Sequence, residues 1–147
     1  MADLKITSPV FSNNETIPTK YTADGENISP PLNIEGVPEQ TQSLVIIVDD
    51  PDAPAGTWTH WVVFNIDPKN TLIAENNIPG MQGMNDFKQN NYGGPSPPSG
   101  IHRYFFKVYA LDIKLDIGEG ALLDNVKNAM NGHILAEGEI VGKYTRE

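Results

Sequence analysis

The chain has 147 residues, 39% hydrophobic and 20% charged with both kinds mixed throughout, which excludes a disordered tail and suits one domain over residues 1–147. Its formal net charge is −9 with only 10 Lys and Arg, so it lacks the basic stripe needed to hold nucleic acid or an anionic membrane surface. There is no cysteine, which excludes disulfides and thiolate catalysis.

The N-terminal MADLKITSPVF has no basic n-region and no long apolar run, so no secretion signal is expected and a cytoplasmic protein is the expectation. No stretch approaches the roughly 18 apolar residues of a membrane-spanning helix. Residues 4–7 alternate as a half-buried strand does. Residues 43–48 (SLVIIV) form a continuous apolar run, the pattern of a strand covered on both faces. Residues 61–66 (WVVFNI) read the same way, and 103–111 (RYFFKVYAL) are rich in aromatic and β-branched side chains. In residues 120–130, Leu122, Leu123, Val126 and Met130 make one apolar stripe of a helix, with Gly132 at the capping position. Residues 140–145 supply a last strand. The 13 Gly and 12 Pro imply many turns. Pro30-Pro31, residues 50–56 and residues 93–100 are expected as loops or extended edges. The sum is a mostly β antiparallel sandwich.

Two junctions carry chemistry. Asp49-Asp50-Pro51-Asp52-Ala53-Pro54 follows the SLVIIV strand, and its prolines hold the carboxylates of Asp50 and Asp52 on a stiff segment. Asp and Pro are also ordinary turn formers, which is the plainer reading. Gly93-Gly94-Pro95-Ser96-Pro97-Pro98-Ser99-Gly100 runs into a strand that carries His102 and Tyr104 on one face, with Arg103 on the other. His60, in Trp58-Thr59-His60-Trp61, opens another strand. A lone strand histidine is commonly structural. Were those two strands neighbours, both imidazoles and a carboxylate would meet at one end of the sandwich. Asp50 or Asp52 would then keep one histidine cationic, and the imidazoles, the tyrosine hydroxyl and loop N–H groups would face a small anion such as phosphate, a phosphorylated head group or a carboxylate. A metal site lacks tight ligand spacing. A Ser/His/Asp hydrolase using Ser96 or Ser99 lacks a GxSxG elbow. No cofactor motif is present. His133, beside Gly132, suits a helix C-terminus and reads as structural.

These motifs together resemble the phosphatidylethanolamine-binding protein family, also called Raf kinase inhibitor-like proteins. The resemblance rests on DPDAP, the W-x-H-W that follows, and GGP…GIHRY. It extends to Phe11, Ile17-Pro18, Tyr21-Thr22, Asp24-Gly25, Asn27 and Ser29-Pro30-Pro31-Leu32, and to the closing GHILAEGEIVGKYTR. It covers nearly the whole chain and points to the compact bacterial and archaeal branch. It implies a Greek-key β-sandwich with one or two short helices. The implied anion pocket is drawn from Asp50, Asp52, Pro54, His60, Gly94, Pro95, His102 and Tyr104, with no metal and no catalytic residue. Larger eukaryotic members carry a C-terminal helix beside this pocket. No such helix follows the last strand here, so their lipid gating and phosphorylation switch are not expected. The resemblance also implies a non-enzymatic role, a possible homodimer, and protease or kinase inhibition through the pocket-rim loops as an alternative. A weak acid–base hydrolase is the remaining alternative.

Overall fold

The computed structural model describes residues 2–146. In chain order its elements are β1 (Ala2–Asp3), β2 (Lys5–Thr7), β3 (Glu15–Thr16), a 3-10 turn (Thr19–Tyr21), β4 (Leu32–Glu35), β5 (Ser43–Asp50), β6 (Trp58–Ile66), β7 (Leu72–Ile73), β8 (Met81–Gln82), β9 (Ile101–Leu111), α1 (Leu123–Met130) and β10 (Ile134–Thr145). The larger sheet has the order β1-β10-β9-β5-β6-β8, with β3 also on β10, and the smaller has the order β2-β4-β7. Pairing is antiparallel apart from β1 and β3, which run parallel to β10. The spatial order β9-β5-β6-β8 is a Greek key: the chain returns from β8 by a long connection to lie beside β5. The mostly β sandwich expected from the sequence is thus the fold observed.

The apolar run of β5 follows from its place at the centre. Both of its edges are paired, to β9 and to β6. Leu44, Ile46 and Val48 face the small sheet and pack with Leu32, Ile34 and Ile73. Val45 and Ile47 face the other way and are covered by Val126 and Met130 of α1, together with Leu111 and Leu115. Each face is therefore dry, and no polar alternation is needed.

The helix is shorter than its stripe suggests. Gly120 takes a positive φ of 81°, its N–H bonds Gln82 O, and Ala121 O accepts from Met84 N–H. These bonds hold residues 120–121 in a non-helical path, so Leu122 sits before the first turn and is 55% exposed. Gly132 (φ 83°) lies just past the helix end, as expected.

Two bulges interrupt the β5–β6 ladder. Ile46 pairs with Val63 but Leu44 with Ile66, which inserts one extra residue; Asn65 there adopts a positive φ of 56°. Its side chain bonds the main chain of Leu115 through both oxygen and nitrogen, at 2.7 and 2.8 Å. At the other end Val48 pairs with Trp61 but Asp49 with Thr59, so His60 is the extra residue. Because β5 is buried on both faces, truncating Ile46 or Ile47 to Ala is expected to cost about 2–5 kcal/mol in each case. Urea unfolding checks this, and a near-neutral Ile47→Ala would mean that α1 does not seal the outer face.

Candidate functional site

The period of two along each strand decides which polar groups enter the sandwich. On β5, Val48 faces the small sheet and so does Asp50, whereas Asp49 turns outward to Lys107 at 3.1 Å. On β9, Tyr104 and Phe106 face inward with His102, and Arg103 faces out. The strands bearing the two histidines are not neighbours: β5 lies between β6 and β9, and Asp50 stands on the strand between the imidazoles. On β6 strict alternation would send His60 to the face opposite Trp61. The bulge re-aims it, and its ring packs edge-on against Tyr104 at 5.2 Å between centroids.

The result is a cavity of about 220 Å3 lined by Asp50, Pro54, His60, His102 and Tyr104. Ala53, Trp58, Phe87, Ser96, Pro97 and Pro98 complete its wall. Asp50, His60, His102 and Tyr104 are buried, while Phe87 is 38% exposed at the mouth.

Each inner group is held. His102 Nδ1 lies 2.6 Å from Asp50 Oδ2, so the ring donates Nδ1–H to the carboxylate and leaves Nε2 as its free nitrogen. Asp50 Oδ1 accepts the main-chain N–H of Asp52 at 2.8 Å, which fixes the carboxylate's rotation. His60 Nδ1 lies 2.6 Å from Gly93 O; a carbonyl only accepts, so this nitrogen carries the proton. Burial pushes the His60 pKa down, against the opposing pull of the Gly93 carbonyl and the Asp50 charge. The ring is thus neutral at pH 7 and its Nε2 is a lone-pair acceptor, where the sequence suggested two imidazole donors. Tyr104 Oη is buried beside Asp50 and the Ser96 main chain without a hydrogen bond of good geometry to either. Burial, and after it the Asp50 charge, raises its pKa.

The other expected site residues surround this recess without lining it. Asp52 receives both the N–H and the guanidinium of Arg103, three bonds at 2.9 Å, and the guanidinium holds its carboxyl at about 2. Between Asp50 and Asp52, it is therefore Asp50 that partners a histidine. Gly94 donates its N–H to Asn27 Oδ1 at 2.8 Å, and a Cβ there would meet that oxygen at 2.5 Å. Pro95 O accepts the Ala23 N–H. Both residues pin the loop that presents the Gly93 carbonyl to His60. His133 pairs with Asp112 at the surface.

Trp58 and Phe87 were not singled out from the sequence. Phe87 rides on a turn built by Asn85, whose Oδ1 accepts the N–H of Phe87 and of Gln89 and whose Nδ2 donates to Asn91 O. Asp86 ties that turn to Thr59 through N–H bonds in both directions. The signal available was one phenylalanine within the polar run Asn85–Asn91. Among the described residues, no group of three or more His, Cys, Asp or Glu is placed to hold a metal ion, and no helix is long and apolar enough to cross a membrane.

A mostly antiparallel sandwich with two buried histidines, a buried aspartate and a buried tyrosine lining one recess at the end of the large sheet is the class that this fold and site define. Residues 7–145 match the family model described as phosphatidylethanolamine-binding protein. A UPF0098 protein of Methanothermobacter thermautotrophicus is 49% identical over 150 residues, 97% of this chain and 99% of that protein. Another from Aquifex aeolicus is 47% identical over 99% of this chain and 91% of its own length. A crystal structure from Chlamydia trachomatis, described as a putative phosphatidylethanolamine-binding protein homologue, has a TM-score of 0.95 at 40% identity over 100% of both chains. E. coli YbcL, described as a new member of the mammalian family, has a TM-score of 0.90 at 32% identity, covering 99% of this chain and 100% of its own. The chain belongs to the phosphatidylethanolamine-binding protein family.

The depressed pKa of His60 has a definite sign in stability. Folding holds the ring neutral, while the unfolded chain protonates near 6.5. Stability is therefore full above about pH 6.5 and declines as pH falls from there through the lowered folded value. Chemical denaturation of the parent and of His60→Gln across pH 5–8 is expected to show a shallower decline in the variant. Equal slopes would remove His60 as the cause.

Proposed function

We propose that the recess binds a small phosphorylated head group, and that it binds without turning its ligand over. The observation that carries this reading is the Tyr104 hydroxyl, a buried donor that lines the cavity and has no hydrogen-bond partner among the described residues. Such a group costs roughly 1–3 kcal/mol while unsatisfied, a cost that a ligand oxygen removes. Anionic oxygens would take Tyr104 Oη–H, beside the His102 ring whose Nδ1 is paired with Asp50. The neutral His60 adds an acceptor, which suits a ligand carrying an ammonium or hydroxyl next to its phosphate. Trp58 and Phe87 offer aromatic faces to a cation, and Pro54, Pro97 and Pro98 offer apolar contact to a short methylene stem. Asp52, Gly94 and Pro95 would act as supports rather than contacts. The family's name points to the same ligand chemistry.

Inorganic phosphate and phosphoethanolamine titrated against labelled histidine are expected to move the ring signals of His60 and His102 together. Tyr104→Phe, which removes one hydrogen bond to a charged oxygen, should weaken binding about ten- to a hundredfold. Ring signals that stay still at millimolar concentrations of both ligands would sink the proposal.

A further inference from the structure

A second cavity, of about 210 Å3, lies beside the β8 edge of the large sheet, and no part of the head-group reading uses it. Its lining is unusual for so acidic a chain. It contains Asn27, Asn76, Asn77, Gln82 and Ser29 together with Trp61, but no Asp, Glu, Lys, Arg or His.

Several of these polar groups have a free end. Trp61 Nε1–H is a donor only and lies 2.8 Å from Gln82, so the atom facing it is the amide oxygen. Among the described residues that leaves Gln82 Nε2 with two N–H groups unused, on a side chain whose residue is only 9% exposed. The Gly94 N–H likewise fixes Asn27 Oδ1 and leaves Asn27 Nδ2 without a partner among the described residues. Ser29 is 4% exposed and its hydroxyl makes no protein hydrogen bond among the described residues. The Asn76 N–H bonds Ser29 O at 2.9 Å, which holds the two sides of the cavity together.

From these observations we infer that this cavity binds a neutral polyhydroxylated ligand the size of one sugar ring. A charged ligand would find no counter-charge here, and an apolar one would strand the amides. Hydroxyls both donate and accept, so they match a mixture of free amide N–H groups, amide oxygens and a serine hydroxyl. The volume is below that of drug-sized sites, which limits the occupant to a single ring. Affinity rests on a handful of neutral hydrogen bonds and is correspondingly modest.

The chain's 2 tryptophans separate the two cavities: Trp61 lines this one and Trp58 the other. The test is a titration of the intact protein with glucose, mannose, galactose and myo-inositol up to about 0.1 M, above the millimolar range expected for such contacts. The two indole N–H signals are followed by NMR. A shift of the Trp61 signal with Trp58 unmoved is expected for at least one polyol. Phosphate is expected to leave Trp61 in place, whatever it does at Trp58. Ser29→Ala and the exposed-site Asn77→Ala should each weaken the polyol response about two- to tenfold. The inference is overturned by a still Trp61 signal with every polyol, by movement at Trp58 alone, by shifts that both variants leave unchanged, or by a response to N-methylacetamide and to no polyol.

Discussion

The register of β5 between its two neighbours is the constraint on which the site depends. Asp50 reaches His102 because β5 and β9 pair with Asp49 opposite Phe105, which puts the two inward side chains on adjoining strands at one sheet end. A slip of one residue would turn Asp50 outward and bring Asp49 in. Within the DPDAP segment only the polar bonds of Asp50 and Asp52 to β9 oppose such a slip. The apolar residues behind it oppose it more strongly, because slipping β5 would also exchange its two differently packed buried rows, Leu44, Ile46 and Val48 against Val45 and Ile47. The geometry of a polar pair is thus set by dispersion and burial several residues away.

The same division of labour runs through the site. Its inner groups are short of freedom. His60 is tied by Gly93, His102 by Asp50, and Asp50 by the Asp52 N–H, while Asp52 is itself clamped to Arg103. Such a chain of bonds spends conformational entropy during folding rather than during binding, which favours a preorganised recess. The Asp52–Arg103 pair is half exposed, so its worth lies in geometry more than in stability.

Much of this was legible in the sequence because β-structure writes its facing rule directly into alternation. His102 with Tyr104, and Val48 with Asp50, each share a face by spacing alone. His60 obeys the opposite rule. Alternation would have placed it on the helix-covered side, and only the bulge at that residue, which is a property of pairing with β5, brings it to Tyr104. Strand order is equally invisible locally, so the insertion of β5 between the histidine strands emerges only from the long return to β9. Phe87 was hidden for another reason: its position comes from the hydrogen bonds of Asn85 and Asp86, and irregular turns have no period to read. The short strands β1, β3, β7 and β8 are fixed by partners distant in sequence and carry no pattern of their own.

An acidic protein that takes an anion must overcome its own field. With a net charge of −9, long-range attraction works against a phosphate approaching any part of the surface. Solution salt screens that repulsion over about 8–10 Å, so what remains to be decided is the last few ångströms. There the recess offers one histidine already paired with its carboxylate, one neutral histidine and one neutral hydroxyl. On the proposed reading, discrimination comes from directed hydrogen bonds and not from charge. On the same reading a zwitterionic head group would be favoured over a bare dianion, since each further negative charge on the ligand would add repulsion from Asp50 without adding a donor to meet it.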